Sequence, residues 1–399
     1  MKKILIVANN MEIGGAERAL LGLLQAIDCS KYKVDLFLFR QEGPFMKFIP
    51  SKIHVLDENN KYSDLAVPIG NVLKKGHIGM LVGRILGKHK AKQFIKKNSL
   101  SVSNSVEIHY SYRYTKKYLP RITEEVYDLA LGFTVPYYIV DEKVKAKKKA
   151  VWLHTDYSKL DGDTIEERKV WSAYDYIVSI SEEVTKAFLK KFKDLKEKIV
   201  LIENIVSKEL IQKQANEIDV KDEMRSESDF TKLLSIGRFT IAKNFDNIPD
   251  ICSRIIEKGQ NVRWYIIGFG SDEELIKNKI KEFGMEKNVI LLGKKENPYP
   301  YIKECDIYVQ PSRFEGKAVT VREAQILQKP VVITDFSTAK SQITDGVDGV
   351  IVPLDNQGCA DAISDLILDI EKQKKLIDNC KNGNYDNLSE VNKIYNLID

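Results

Sequence analysis

Two glutamates carry the sharpest chemical signal in the chain. Glu315 and Glu323 bracket the segment Glu315-Gly316-Lys317-Ala318-Val319-Thr320-Val321-Arg322-Glu323. On a helix, eight residues amount to about 12 Å of rise and ~80° of rotation, so both carboxylates would face one elongated ligand. A carboxylate accepts from two neighbouring hydroxyls, which makes each a clamp for a diol. One glutamate on a hexose and the other on a ribose, with a diphosphate between them, fits that span. Counter-charge for a diphosphate stands upstream, where Gly237-Arg238 and Lys243-Asn244 follow an apolar run. Two cations beside free helix N–H groups would put dipole, backbone donors and side-chain charge on one anion. Each signal has a plainer counterpart: glutamates eight apart also occur on solvated helices, and an Arg and a Lys also solvate loops.

Other candidates exclude chemistries. Gly268-Phe269-Gly270 lets backbone approach a ligand closely or simply makes a tight turn, and the third glycine of a dinucleotide fingerprint is replaced by Glu273. Gly14-Gly15-Ala16 fails the same test, and Arg40 stands where a ribose-binding carboxylate is expected, so nicotinamide and flavin chemistry are disfavoured. Asp161-Gly162-Asp163 has the form of a metal-binding Asp-x-Asp, but it leads into Thr164-Ile165-Glu166-Glu167 rather than ending an apolar strand. A turn or helix cap is the better reading, and no metal is expected. The five cysteines lie far apart without C-x-x-C spacing, which reads as reduced intracellular thiols.

These residues need a scaffold. Strand-like apolar runs at 3–8, 34–39, 53–56, 129–133, 150–153 and 176–180 alternate with helical or loop material, as does a second series at 233–236, 263–267, 289–292, 307–310 and 331–334. Between them, 204–231 turns polar and charged and reads as a connecting helix and linker. The expectation is α/β: two Rossmann-like doubly wound domains, 1–206 and 207–380, with a tail 381–399 packing back on the first. At 399 residues, with 43% apolar and 30% charged, the chain suits two globular domains, and disorder or a disulfide scaffold is excluded.

The net charge of +5 hides an asymmetry, since residues 1–150 carry +12 and the remainder −7. Between Ala66 and Val106 there is no acidic residue, while Lys74, Lys75, Arg84, Lys88, Lys90, Lys92, Lys96 and Lys97 interleave with Leu73, Ile78, Leu81, Val82, Ile85 and Leu86. A basic amphipathic segment of this kind lies on an anionic membrane surface; the plainer reading is a solvated face. Gly76, Gly79, Gly83 and Gly87 are expected to weaken a helix here. No recognised nucleic-acid module is present, so no nucleic-acid partner is expected. Ile4–Ala8 is too short for a signal-peptide core, and the protein is expected inside the cell.

Taken in order, Gly14-Gly15-Ala16-Glu17, His154 after Val151-Trp152-Leu153, Ser181-Glu182, Gly237-Arg238 with Lys243-Asn244, Gly268-Phe269-Gly270, Glu315 to Glu323, and Asp345-Gly346-Val347-Asp348-Gly349 with Val352-Pro353 resemble the motif series of retaining glycosyltransferases of family four. The resemblance is strongest from Leu233 to Pro353 and fades between about Lys61 and Glu125. It implies the GT-B architecture, with two domains facing across a cleft, the nucleotide sugar on the second, the acceptor mainly on the first, and no metal or other cofactor. It further implies that Arg238 and Lys243 neutralise the donor diphosphate and that Glu323 holds the ribose. Glu315 would bind hydroxyls of the transferred hexose, and amides of Gly316, Ala318 and Val319 the sugar or phosphate. Gly14 and Gly15 would let the first loop close, Gly268 would line the donor, and His154 would lie near the donor sugar; without the resemblance a lone strand-end His reads equally as an interior histidine. Lys317 and Ala318 depart from the family pattern, which leaves the hexose open.

The implied activity is hexose transfer, retaining and metal-independent, from a nucleotide sugar to a lipid-linked or polysaccharide acceptor at the inner face of the cell membrane. UDP is the favoured donor nucleotide. Lys at 50 against Arg at 12 points to an AT-rich bacterial genome and to capsular or exopolysaccharide synthesis. Competing readings are a nucleotide-sugar epimerase of the same fold and a non-catalytic sugar-nucleotide-binding partner.

Overall fold

The structure is a computed structural model that describes residues 1–100, 104–134, 136–155, 157, 162–224 and 230–398, with backbone alone at 104 and 105. It divides into two compact units, the first comprising 1–12, 20–203 and 389–399, the second 13–19 and 204–388. The division falls at Glu203–Asn204 rather than after Val206, and the stretch Ile13–Ala19 groups with the second unit, not the first. The carboxy-terminal residues are shared. Asn387 is tied to the Asn204 carbonyl and the Val206 N–H in the second unit. In the first unit Tyr395 stacks on Tyr32 at 4.3 Å and accepts from the Asp28 N–H.

Among the described residues, the first unit's sheet is β1 (Lys2–Ala8), β2 (Tyr32–Leu38), β3 (His54–Val55), β4 (Val126–Gly132), β5 (Lys145–Leu153), β6 (Tyr176–Ser179) and β7 (Ile199–Leu201). Its order is β3-β2-β1-β4-β5-β6-β7, with parallel pairings throughout the register. Ile4 to Ala8 are fully buried because both faces of a parallel sheet are covered, which is why this strand reads as an unbroken apolar run. The second unit holds β8 (Thr231–Ile236), β9 (Val262–Ile267), β10 (Val289–Gly293), β11 (Ile307–Gln310), β12 (Val331–Thr334) and β13 (Val350–Val352) in the order β10-β9-β8-β11-β12-β13. On β9 the period of two divides side chains between two cores. Trp264 and Ile266 pack with helices Ile248–Glu257 and Asn356–Leu368, while Tyr265 and Ile267 pack with Tyr301, Ile302, Val321 and Ala324 on the opposite face.

The expected linker belongs to the second unit's body. Ser207 caps helix Lys208–Gln214 by accepting from the Leu210 N–H, and Ile211 packs with Val206, Val319 and Ile326. Val220 and Met224 enter the core beside β8. The segment's charges lie on its outer side, which is what made it read as a connector.

The basic segment corrects an expectation about glycine. Ile78–Lys97 is one helix of 20 residues, and Gly79, Gly83, Gly87 and Ala91 recur every fourth position on one face. A Cβ at Gly83 would run into the Tyr114 carbonyl and Thr115, and one at Gly87 into the backbone of Ser111. The glycines therefore let this helix lie close against helix Asn104–Thr115, and packing outweighs their low propensity. Ile78, Val82, Ile85 and Leu86 are left exposed beside Lys88, Lys90, Lys92, Lys96 and Lys97. No helix among the described residues is long and apolar enough to cross a membrane.

Candidate functional site

In each sheet the strand order reverses beside its first strand, at β1/β4 and at β8/β11. Loops leave such a pair in opposite directions, opening a crevice at the strands' carboxyl ends where open α/β sheets bind ligands. In the second unit the two loops are 237–247 after β8 and 311–318 after β11. They are clipped together by Arg313, whose guanidinium grips Asp246 through two bonds of 2.8 and 2.7 Å and donates to the Ile241 carbonyl. The Arg313 N–H also donates to the Ala242 carbonyl, which fixes the turn that carries Lys243.

Lys243 ends a short 3-10 turn, Asn244 takes the left-handed conformation at φ 61°, and the α-helix begins only at Ile248. Lys243 therefore does not stand at a helix N-terminus, as its position after β8 led us to expect. Its ammonium instead pairs with the Glu315 carboxylate. Glu315 Oε1 also accepts from Ser312 Oγ at 2.7 Å and Gln310 Nε2 at 3.3 Å. Gln310 is oriented in turn, because its Oε1 accepts from Tyr308 Oη at 2.6 Å and Thr320 Oγ1 at 3.2 Å. Arg238 is 54% exposed, with Nη2 3.8 Å from the Glu17 carboxylate.

The two glutamates are not on one helix. Glu315 lies in the loop, its carbonyl held by Thr338 Oγ1, and helix Val319–Ile326 starts after an extended Ala318. Only Glu323 is helical, so the eight-residue helical spacing does not apply. Glu323 is 1% exposed, with one oxygen accepting from Arg18 Nη1 at 2.6 Å and the other from Tyr299 Oη at 2.9 Å. The Arg18 guanidinium also lies over the Tyr299 ring, 5.3 Å from its centre. Burial opposes charge on Arg18, but Glu323, Tyr299 and Tyr308 together offset it and hold its pKa above the ordinary value.

Gly14 and Gly15 open the second unit's short amino-terminal stretch, where a Cβ at Gly14 would strike the Glu17 carboxylate. At Gly268 a Cβ would strike the Gly237 carbonyl and approach the Phe239 ring, so the close contact made there is with the chain itself. Gly316, Ala318 and Val319 lie between the two glutamates, and the Ala318 N–H donates to Gln342 Oε1 at 2.9 Å.

His154 belongs to the first unit, just beyond β5. Its ring lies 4.7 Å from that of Phe133 and 6.2 Å from that of Trp152, and Nε2 is buried without a partner. Burial pushes its pKa down to about 4, against a hydrogen bond that the ring donates to the Phe133 backbone, which raises it. Asp163 caps helix Thr164–Ala173 by accepting from the Glu166 N–H at 3.2 Å, while Asp161 lies outside the described residues. Among the described residues no group of three or more His, Cys, Asp or Glu side chains is arranged to hold a metal.

Residues 217–383 match the family model described as Glycosyl transferases group 1. An uncharacterised glycosyltransferase of Methanocaldococcus jannaschii is 30% identical over 169 residues, 42% of either chain. The N-acetylgalactosamine-N,N'-diacetylbacillosaminyl-diphospho-undecaprenol 4-alpha-N-acetylgalactosaminyltransferase of Campylobacter jejuni is 28% identical over 185 residues, 46% of this chain and 48% of that one. The chain thus spans about half or less of the curated relatives it matches. Across 99% of its length it superposes on 98% of Anabaena HepE, solved with UDP and glucose, with a TM-score of 0.70 and 17% identity. At that identity the likeness concerns the fold, and the two parallel-sheet units are those of GT-B proteins.

Arg18, Tyr299 and Gln310 were not singled out from sequence, whereas Ser312 belongs to the pattern around Glu315 that was. Arg18 directly follows the Gly14-Gly15-Ala16-Glu17 motif, which was the available signal; Gln310 and Ser312 flank Pro311 at the end of a strand whose other residues are apolar.

Proposed function

We propose that the chain is a retaining, metal-independent glycosyltransferase that moves a hexose from a nucleotide sugar, UDP-linked, to a lipid-linked or polysaccharide acceptor in cell-surface glycan synthesis. One observation carries the reading. At the β8/β11 switch point of the segment that matches the Glycosyl transferases group 1 model, a lysine and a glutamate sit in contact, Lys243 on Glu315, with Glu323 buried on the helix that follows. An ammonium that neutralises a carboxylate in the free chain can turn to a diphosphate, which releases the carboxylate to accept from sugar hydroxyls. Arg238, half exposed, adds a second counter-charge. Two fixed cations serve as the leaving group's electrostatic partner, so the reaction needs no divalent ion.

Catalysis is then mostly positioning and leaving-group stabilisation, with the departing phosphate taking the acceptor's proton on the face where it leaves. His154, neutral at pH 7, contributes a hydrogen bond near the sugar rather than an acid. The exposed apolar and lysine-rich residues of helix Ile78–Lys97 suit an anionic membrane, which supports the reading of a lipid-linked acceptor at the inner face of the cell membrane. The diphospho-undecaprenol in the name of the Campylobacter jejuni relative, and the amylovoran biosynthesis named for a glycosyltransferase of Erwinia amylovora that is 26% identical over 121 residues, support an acceptor of that class.

The test is incubation of the protein with UDP-hexoses and polyprenyl-diphosphate sugars, with and without a chelator. The expected result is transfer undiminished by the chelator, with the donor's anomeric configuration kept in the product. An inverted product, a requirement for manganese or magnesium, or conversion of the free nucleotide sugar to its epimer would contradict the proposal.

A further inference from the structure

Each of the four charged residues of the proposed donor clamp is paired within the chain. Lys243 and Glu315 are paired with each other. The other two are held by consecutive residues of the stretch Ile13–Ala19, which belongs to the same unit. Glu17, 8% exposed, sets its carboxylate 3.8 Å from Arg238, and Arg18 Nη1 donates to Glu323 at 2.6 Å. The local backbone fixes both side chains. The Arg18 N–H donates to the Gly14 carbonyl at 3.0 Å in the first turn of helix Gly15–Ala26, and only a glycine at position 14 leaves room for the Glu17 carboxylate.

The pair of residues offers the clamp what a nucleotide would offer it. Toward Arg238, the Glu17 carboxylate stands where a diphosphate would supply negative charge. Toward Glu323, the Arg18 guanidinium stands where ribose hydroxyls would supply hydrogens. Tyr299 Oη donates to the other Glu323 oxygen, and burial, with Glu323 beside it, pushes the Tyr299 pKa up, so the phenol keeps the proton it donates. Both oxygens are thus taken, and at 1% exposure Glu323 has no side open to a ribose while Arg18 stays in place. The two arms differ in strength. The Arg18 side chain is buried and its bond is charge-assisted, whereas the Glu17 contact is long and Arg238 is half exposed, so water screens it.

We propose that Glu17-Arg18 is a built-in competitor for the nucleotide, and that a donor binds by taking Glu323 from Arg18 with its ribose hydroxyls. The inference rests on the donor site proposed above and adds regulation to it. Nucleotide binds only the fraction of molecules in which Arg18 has let go, so its apparent affinity is lowered by that fraction. The exchange leaves no clamp residue unpaired: ribose hydroxyls replace the guanidinium at Glu323, and the diphosphate replaces the Glu17 carboxylate at Arg238. Between donors, the same contacts keep the buried Glu323 charge compensated.

The experiment compares, by calorimetry on the full chain, the affinities of UDP and of 2′,3′-dideoxy-UDP, which lacks the hydroxyls that displace Arg18. In Arg18→Gln the preference for UDP over the dideoxy analogue should grow about tenfold over that of wild type, because the competitor for Glu323 is gone. Arg18→Lys keeps a cation beside Glu323, and with it the fold, but loses the planar fork; its preference should grow in the same direction by less. Glu17→Gln should tighten both nucleotides alike, about two- to fivefold, since Arg238 meets only the diphosphate they share. A preference for UDP that is unchanged or reduced in the Arg18 variants would overturn the inference while leaving the donor site standing: unchanged, Arg18 is a structural partner of Glu323; reduced, it is itself a ligand of the ribose. Failure of wild type to bind UDP, or UDP affinity unaltered by Glu323→Ala, would overturn the donor site and the inference with it.

Discussion

The carboxyl ends of β11 and β5 carry the two residues singled out for catalysis, and they are built in opposite ways. After β11, Glu315 is surrounded by donors: Lys243, Ser312 and Gln310 all converge on one oxygen, and Gln310 is itself held by Tyr308 and Thr320. After β5, His154 sits among rings, with Nε2 unpaired and the Trp152 indole nitrogen unpaired close by. A carboxylate supplied with donors is held in one orientation, whereas an imidazole among aromatics is kept neutral. The first region is suited to bind charge and hydroxyls, the second to present an uncharged nitrogen.

The contrast can be broken in several ways. The largest effect is expected outside both strand ends. Replacing Lys88, Lys90, Lys92 and Lys96 together by Glu should abolish sedimentation with anionic vesicles, each lysine near the surface being worth about 1 kcal/mol, while UDP affinity survives because the charges lie in the first unit. Wild-type binding that is equal on neutral and anionic vesicles would remove the membrane role.

Next comes the buried pair in the second unit. Arg18→Ala leaves Glu323, 1% exposed, with an uncompensated charge, and denaturant unfolding should report a loss of about 3–5 kcal/mol. A loss below about 1 kcal/mol would show that Glu323 does not depend on its guanidinium partner.

The smallest effect belongs to His154. Its folded pKa, about 4, lies below the ordinary 6.5, so on acidification the unfolded chain takes up the proton first and stability is lost as pH falls from 6.5 towards 4. His154→Gln should flatten that decline. It should not remove it, because His109, also pushed down to about 4 by burial, has the same sign. Glu167 works the other way, since burial pushes it up to about 7 from 4.5 and its contribution is lost as pH rises through that window. An unchanged pH profile in His154→Gln would mean that the ring is solvated rather than caged.

What the sequence made legible follows from burial. β11 and β12 coincide with their runs because parallel strands covered on both faces are apolar at nearly every position, and only their last residues, Gln310 and Thr334, are polar. β7, Ile199–Leu201, is apolar as well, but at three half-buried residues on a sheet edge its run is too short to read as a strand from sequence. The acidic signal at Glu315 and Glu323 was visible, but its geometry was not, since the helix begins at Val319 and places only one of them on it. Arg18 stands 305 positions from Glu323, and a pairing at that separation has no local pattern to reveal it. The glycines of Ile78–Lys97 were misjudged for a related reason: propensity is local, and the close neighbour that makes them favourable is another helix.

The central claim is that Lys243 and Glu323 hold the nucleoside diphosphate of the donor, and titration calorimetry with UDP tests it most directly. Wild type should bind, and Lys243→Ala and Glu323→Ala, each confirmed folded by circular dichroism, should weaken binding on the order of tenfold to a hundredfold, the loss of one charge-assisted hydrogen-bonding partner. Glu315→Ala should leave UDP affinity nearly intact and reduce turnover instead. Unchanged UDP affinity in both folded Lys243 and Glu323 variants would contradict the account.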